Sequence, residues 1–438
     1  MYGLLLTALL ASPPLSIPHQ SFTLDNGLRV LLHEDPRLPL VVVNLSYRVG
    51  SADEPPGRTG FAHLFEHLMF MGTVRAPRGF FDAWMEAEGA WNNAWTSEDR
   101  TDYYAVGPAH TLPLLLWLEA DRMAALGGQI DAAKLDLQRD VVRNERRQTS
   151  ENTPYGVAEL KLPALIYAPD HPYYHPVIGS HEDLQAATVA DVRGFFEDWY
   201  GPANATLVIA GAFEATAVEA QVRQMFQWVP RGAAPARPPI QPRVPAPAAV
   251  TEALTVTDRV DQPRVIFAWQ SPAHYAEGDA ALDVLSTILA EGKSSRLFQA
   301  LVYEQQVAQD VYAAQWSRRL GSQFVVWATA REGTDVEAMQ VALDKALAAA
   351  IEAITEDDVE RAVRAFERAF VSRLQSVADR ASLLNDYLFD PGDPDYVTRD
   401  LARYTALNAE TVRRVAREVL RPGARATLRV VPAAEGGP

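Results

Sequence analysis

The segment Gly60–Phe70 contains two histidines, His63 and His67, spaced four residues apart. Residues with this spacing share one face of a helix, so both imidazoles can bind the same zinc ion. Glu66 lies beside His67, where its carboxylate can take a proton from a water molecule held by the metal. The order H-x-x-E-H is the inverse of the commoner H-E-x-x-H. The segment therefore predicts a hydrolytic zinc centre with Glu66 as the general base.

Chance is a poor explanation for this pattern. With 9 histidines and 56 acidic residues in 438 positions, composition predicts about 0.02 occurrences in the chain. The alternative is that the three side chains are incidental polar residues of an apolar helix, but they would need polar partners if buried there. We therefore interpret them as residues of a metal site.

A tetrahedral zinc ion needs a third protein ligand and keeps its fourth position for water. The chain has no cysteine, so this ligand must be a carboxylate or another histidine. Pattern alone does not distinguish among five acidic residues, which are Glu119, Asp121, Asp140, Glu145 and Glu151.

The composition excludes several other functions. The net charge is −16, and nucleic-acid binding depends on clustered cations, so no nucleic-acid partner is expected. The acidic balance is explained by solubility more simply than by attraction of basic peptides. No run of about 18 apolar residues is present, so the sequence predicts no membrane span.

The amino terminus has a short apolar stretch from Tyr2 to Ala11. Its length is typical of a signal-peptide core, so residues 1–20 are a possible signal peptide and the protein is expected to be periplasmic or exported. However, no lysine or arginine precedes Arg29. The alternative is a cytoplasmic protein in which this stretch is an extension of the fold.

The chain divides into two related parts. Residues 230–249 are rich in proline and alanine, which predicts a stiff linker between domains at 21–229 and 250–438. Val192-Arg193 and a later Ala205-Thr206-Leu207 recur in the second part as Val412-Arg413 and Ala426-Thr427-Leu428, at offsets of 220 and 221 residues. A duplicated domain is the simplest interpretation.

The patterns within each part predict hairpins and long helices. Asn26-Gly27 between two apolar runs is a hairpin signal, and periodic segments such as Ala132–Thr149 and Glu356–Ala378 predict helices. We therefore predict the α+β class. Each domain should contain a mostly antiparallel sheet packed with helices.

Several motifs together resemble the pitrilysin, insulysin and mitochondrial processing peptidase family of zinc metallopeptidases, also called inverzincins. The resemblance covers nearly the whole chain. It rests on the H-x-x-E-H segment with the following Met71-Gly72-Thr73, and on Asn26-Gly27-Leu28, Gly50-Ser51, Asn92-Asn93-Ala94-Trp95-Thr96-Ser97, Tyr103-Tyr104, Asn144-Glu145-Arg146-Arg147 and Ser294-Ser295-Arg296-Leu297.

The resemblance implies a zinc endopeptidase that cleaves peptides or unfolded segments, with one zinc ion held by His63, His67 and Glu145. A further acidic residue is common in the family seven positions before the third ligand, and this chain has Gln138 there. An amide can hydrogen-bond a ligand but adds no charge. The alternative is a non-catalytic binding or assembly subunit, which usually lacks part of the motif.

The resemblance also implies a clamshell in which the two domains of this chain, only the first of them holding zinc, form one half. Asn93 and Ala94 would lie on an edge strand along which the substrate backbone binds; the alternative is a hairpin strand with only a structural role. Active members usually carry an Arg and a Tyr in the second domain, whereas this chain has Val302 and Gln309 at those positions. We therefore expect a heterodimer with a homologous companion chain that supplies the pair, and a homodimer is the alternative.

Overall fold

The computed structural model describes residues 15–235 and 253–433. Residues 1–14 of the predicted signal peptide and residues 236–249 of the predicted linker lie outside the described residues. Within the described ranges, no helix is long and apolar enough to cross a membrane.

The first sheet has six described strands, which occur in the order β1-β2-β6-β3-β5-β4. They are β1 (Gln20–Thr23), β2 (Arg29–Glu34), β3 (Leu40–Tyr47), β4 (Trp91–Thr96), β5 (Thr101–Pro108) and β6 (Ala205–Gly211). The helices of this part are α1 (Phe61–Leu68), α2 (Phe80–Ala87), α3 (Leu112–Gln129), α4 (Ala132–Arg146), α5 (Gly156–Ile166), α6 (His181–Ala186), α7 (Val189–Trp199) and α8 (Ala215–Phe226). Strands β2 and β6 are parallel, and the other neighbours are antiparallel.

The second sheet has five described strands, in the order β7-β11-β8-β10-β9. They are β7 (Leu254–Asp258), β8 (Arg264–Ser271), β9 (Ala308–Trp316), β10 (Ser322–Ala330) and β11 (Ala426–Pro432). The helices are α9 (Asp279–Ala290), α10 (Val336–Glu352), α11 (Glu356–Arg373), α12 (Val377–Phe389), α13 (Val397–Thr405) and α14 (Ala409–Val419). Apart from β1, the two sheets have the same strand order and the same single parallel pair. The predicted α+β fold with mostly antiparallel sheets is confirmed.

Each sheet is buried on both faces, and one of its covers comes from the other part of the chain. Helix α12 packs on β3 and β6, where Leu384 and Leu388 meet Val42 and Val208. Helix α5 packs in the same way on β7, β8 and β11 of the second sheet. Strands covered on both faces are apolar at successive positions, which explains the uninterrupted Val41-Val42-Val43 run of β3.

Polar contacts fix the position of α12 on the first sheet. Arg380 donates through Nε to Nε2 of His33 at 2.8 Å and pairs with the carboxylate of Asp35. The amide of Asn385 donates to Asn44 of β3. These groups are buried, so sliding the helix would leave several of them without partners.

A second link joins the β4–β5 hairpin to the β9–β10 loop. Tyr173 donates through its hydroxyl to Asp99, in the turn after β4, at 2.6 Å from Oδ2. The same hydroxyl accepts from the backbone N–H of Leu320 at 2.9 Å. Beside this contact, Arg318 pairs with Glu98 at 2.6 Å. The tip of the hairpin is thus held by residues of the second part.

The predicted helix Glu356–Ala378 is wrong at its carboxyl end, because α11 stops at Arg373 and α12 begins at Val377. The side chain of Ser376 accepts from the backbone N–H of Asp379 at 3.2 Å and caps the new helix. The break turns the chain so that α12 can reach the first sheet.

We expect Leu384→Ala to lower the free energy of unfolding by about 2–5 kcal/mol, because it removes a buried side chain between the two parts. Leu384 is 0% exposed. The control variant is Leu38→Ala, because Leu38 is 56% exposed. Urea unfolding monitored by circular dichroism measures both variants. Equal losses for the two would contradict the packing described above.

Candidate metal centre

The apolar face of α1 determines where its polar side chains point. Phe61, Leu64, Phe65 and Leu68 are buried, and the ring of Phe65 stacks on Tyr200 at 4.4 Å. Because 3.6 residues make one turn, burial of these four positions leaves His63, Glu66 and His67 on the opposite, half-buried face. The motif residues therefore share one face, as their spacing predicts.

The amino terminus of α1 is fixed by Gly60 and Glu54. Gly60 has a φ angle of 90°, and a Cβ there would lie 2.9 Å from the carbonyl oxygen of Ile178, so glycine is required for both reasons. The carboxylate of Glu54 accepts from the backbone N–H of Gly60 at 2.8 Å and of Ala62 at 2.7 Å. Its side chain is 0% exposed and lies 3.7 Å from Nδ1 of His175.

Helix α4 brings Glu145 to the two histidines. Leu135 and Val142 are buried on the side of α4 that faces the core, and α4 packs against α1. Oε1 of Glu145 lies 3.6 Å from Nε2 of His63, and Oε2 lies 3.1 Å from Nε2 of His67. These are the only three potential metal ligands that converge in this way within the described residues.

The protonation states at this centre match those of metal ligands. Burial lowers the pKa of His63 to about 4, although the nearby carboxylate of Glu145 opposes this shift. A hydrogen bond from His67 lowers the pKa of Glu145. At neutral pH, His63 is therefore neutral and Glu145 is ionised, and these are the forms that bind a metal.

The donor set also has suitable dimensions for zinc. Ligand atoms about 2.0–2.2 Å from a tetrahedral zinc ion lie about 3.3–3.6 Å from one another. The distances of 3.6 and 3.1 Å from Glu145 to the two imidazoles are close to this range. The residues present fit one zinc ion bound by two nitrogen atoms and one carboxylate.

Glu66 is held beside this centre by Thr96 of β4, whose hydroxyl donates to Oε2 of Glu66 at 2.6 Å. Burial raises the pKa of Glu66, whereas the Thr96 hydrogen bond and the charge of His67 lower it. The other oxygen, Oε1, is not used in this hydrogen bond. Glu66 is therefore an oriented carboxyl group whose affinity for a proton is increased by burial.

Asn93 and Ala94 lie on β4, which is the edge strand of the first sheet. The backbone N–H of Ala94 donates to Oδ1 of Asn93 at 2.8 Å, a local contact with its own neighbour in the sequence. Because Thr96 at the end of the same strand contacts Glu66, the edge leads directly to the candidate centre.

Three other predicted positions are not part of this group of ligands. Gln138 is buried on α4, and its amide donates to Sδ of Met71 at 2.8 Å. Val302 packs against the core of the second part, and Gln309 is exposed on β9. Glu54 and Thr96 position the motif helix and its glutamate, and the sequence patterns did not predict these roles.

Comparisons with known proteins identify the family. The profile described as Insulinase (Peptidase family M16) matches residues 29–171, and the profile described as Peptidase M16 inactive domain matches residues 186–366. A curated relative, the zinc protease PqqE of Helicobacter pylori, is 30% identical over 91% of this chain and 90% of its own. The chain belongs to peptidase family M16.

Solved structures agree with this assignment. A protease from Helicobacter pylori has a TM-score of 0.88 and 28% identity, with 95% of this M16 chain and 100% of that chain covered. The periplasmic protease PqqL from Escherichia coli has the same fold, with a TM-score of 0.73 and 16% identity, but only 48% of its chain is covered. The first profile match includes His63, His67 and Glu145, whereas the inactive-domain match begins after them.

We expect Glu54→Ala to lower the free energy of unfolding by about 1–3 kcal/mol, because two buried backbone N–H groups would lose their acceptor. Glu214 is a matched control, since it accepts from two N–H groups at the start of α8 but is exposed. Water can replace its carboxylate, so Glu214→Ala should have a smaller effect. Chemical unfolding of both variants tests this difference, and an equal or larger effect at Glu214 would contradict it.

Proposed function

We propose that this chain is a zinc-dependent endopeptidase that hydrolyses peptides or unfolded protein segments. The observation that carries the proposal is the convergence of His63, His67 and Glu145 next to the oriented carboxyl group of Glu66. The family, and the zinc protease among its relatives, support the same chemistry.

The three ligands would hold zinc, which when bound acts as a Lewis acid on the scissile carbonyl and on the attacking water. Glu66 takes a proton from that water at a carboxylate oxygen and then gives it to the nitrogen of the leaving amine. The hydroxyl of Thr96 orients Glu66 through its hydrogen bond to Oε2. Burial raises the pKa of Glu66, which favours its acceptance of this proton.

The edge strand β4 would bind the substrate. An extended peptide can add to a free sheet edge through backbone hydrogen bonds, and Asn93 and Ala94 lie on this edge. On binding, the substrate would replace the contact between the Ala94 N–H and the Asn93 side chain. The scissile bond would thereby be positioned near Glu66, because Thr96 belongs to the same strand.

The alternative is a non-catalytic binding or assembly subunit, which the match to a profile described as an inactive domain would favour. That profile matches residues 186–366, which do not include the motif or Glu145. The complete H-x-x-E-H segment and the third ligand, Glu145, favour the enzyme. We assign catalysis to a domain at 21–229 and a role without metal to a domain at 250–438.

We also propose that the chain functions with a homologous companion chain, in the periplasm or after export. Neither Val302, which packs in the core, nor the exposed Gln309 offers the guanidinium or phenol expected at these positions. The chain is about half as long as the E. coli relative, as the 48% coverage indicates. A second chain could supply the other half, and a homodimer or a cytoplasmic protein is the alternative.

Glu66→Gln should retain zinc but lower peptide turnover by at least about 10²-fold, because an amide cannot accept the proton. Alanine variants of His63, His67 and Glu145 should instead lose the metal. Zinc content by elemental analysis and hydrolysis of a fluorogenic peptide measure both properties. Glu86→Gln, an exposed substitution on α2, serves as the control, and unchanged turnover in Glu66→Gln would exclude this residue as the base.

The companion proposal predicts that turnover rises when a homologous chain with Arg and Tyr at the positions of Val302 and Gln309 is added. The guanidinium and phenol would bind the substrate and stabilise a developing negative charge. Size-exclusion chromatography and peptide hydrolysis, with this chain alone and in the mixture, provide the measurement. Full activity of this chain alone, unchanged by any homologous partner, would contradict the heterodimer.

A further inference from the structure

The second part of the chain contains a counterpart of the motif helix. Helix α9 follows β8 as α1 follows β3, in sheets of the same strand order. The ten residues from 281 to 290 repeat the burial pattern of residues 61–70 at every position. At this offset of 220 residues, Asp283, Ser286 and Thr287 take the places of the two histidines and the glutamate.

A pair of hydrogen bonds aligns α11 with α4. Arg193 of α7 donates to the carbonyl oxygen of Ile130, one residue before the N-cap of α4. Arg413 of α14 donates in the same way to Ile354, one residue before the N-cap of α11. This alignment puts Ala369 where α4 carries the third ligand, so small side chains replace the large ones.

A cavity of about 330 Å³ lies at this position, between α9 and α11. We call it the α9–α11 pocket. Its polar lining includes Asp283, Glu291 and the phenol of Tyr404, and its apolar lining includes Ala369 and Phe366, whose ring stacks on that of Tyr404. Its volume is near the lower end of the range for ligand pockets, which suits a single long side chain.

The polar part of this lining is acidic. Asp283 accepts from the hydroxyl of Tyr404 through Oδ2 at 2.7 Å, and no described residue forms a hydrogen bond with its Oδ1. Glu291 accepts from Thr287 at 3.0 Å. Among the described residues that line the pocket, one side chain is cationic, that of Arg368, and it is exposed.

The environment of Asp283 favours a cationic ligand. Burial, with a smaller contribution from the carboxylate of Asp279, raises the pKa of Asp283 to about 7, although Tyr404, His274 and Arg403 oppose the shift. A cation beside this carboxyl would stabilise its ionised form. The pocket residues do not form a group of three potential metal ligands within the described chain, so an organic cation fits better than a metal ion.

We propose that the α9–α11 pocket binds a lysine side chain of the peptide substrate, an inference that rests on the proposed endopeptidase function. The aliphatic part of lysine would pack against Phe366 and Ala369, and its ammonium group would meet Oδ1 of Asp283. A compact ammonium suits one open carboxylate oxygen, whereas the planar guanidinium of arginine is best bound by two. The pocket would thus select substrates at a distance from the scissile bond.

Peptide binding tests the pocket independently of hydrolysis. Isothermal titration calorimetry on the full-length Glu66→Gln chain would compare peptides whose only charged side chain is one lysine with the same peptides containing norleucine, which lacks the ammonium group. The residue would be moved along the peptide one position at a time. We expect lysine to bind about fivefold more tightly than norleucine at one or two positions.

The variants are made in the Glu66→Gln background. Asp283→Asn should abolish the preference for lysine, and Ala369→Phe should weaken binding of the lysine peptide by filling the pocket. Glu360→Gln removes a carboxylate from the exposed face of α11 and should leave the preference unchanged. Because Asp283 and Ala369 are changed in separate variants, the proposal can still be tested if one of the two variants does not fold.

The outcomes separate this proposal from the proposed function. Equal binding of lysine and norleucine peptides at every position, or no binding of the lysine peptides, would overturn the pocket even if the wild-type chain hydrolyses peptides. A lysine preference that persists in Asp283→Asn would overturn it as well. Conversely, if the wild-type chain and its companion hydrolyse no peptide, the endopeptidase proposal fails, but a lysine preference lost in Asp283→Asn would still support the pocket.

Discussion

A sheet that is apolar on both faces must be covered twice, and each part of this chain covers its own sheet only once. The second cover is exchanged: α5 packs on the second sheet and α12 on the first. Separation of the two parts would expose both apolar faces to water, at a free-energy cost of roughly 25 cal/mol per Å². The two sheets are therefore held as one body, and the candidate centre is built on that body.

The geometry of the centre follows from this packing. Helix α1 lies on a face of the first sheet whose other face is closed by α12, so neither its depth nor its rotation is free. Its buried phenylalanines and leucines turn the histidines outward, and α4 adds the carboxylate from a neighbouring helix. The polar groups are few, and most of the structure serves to hold them within a few ångströms.

Much of the fold and of the centre could be predicted from local patterns. The H-x-x-E-H spacing placed three side chains on one helix face, and Asn26-Gly27 predicted the first hairpin. Glu145 needed the family resemblance, because several acidic residues satisfied the chemistry and only the packing of α4 on α1 selects among them. Thr96 lies 30 residues from its partner Glu66, and such a distant contact leaves no local signal.

The packing of the exchanged helices, α5 and α12, could not be predicted from local sequence patterns for a related reason. Helix α5 contains Pro163, which argues against a helix, and α12 follows α11 after a short break that periodicity alone did not show. Each is stabilised by a sheet more than 80 residues away in the sequence, so their environment is decided by tertiary packing. The short sequence matches near the end of each part reveal the duplication. They do not reveal that the first pair of helices, α1 and α4, carries the histidines and glutamates, whereas the second pair, α9 and α11, carries smaller side chains at the matching positions.

The contact between the β4–β5 hairpin and the β9–β10 loop has a consequence for the thermodynamics of binding. A free edge strand usually fluctuates, and ordering it on binding reduces affinity. Here Tyr173 connects Asp99, in the turn after β4, to Leu320 of the second part, and Thr96, three residues before Asp99, is bound to Glu66 of α1. This end of the strand is held before a peptide binds in the proposed way, so association would lose conformational entropy mainly from the peptide and less from this part of the protein.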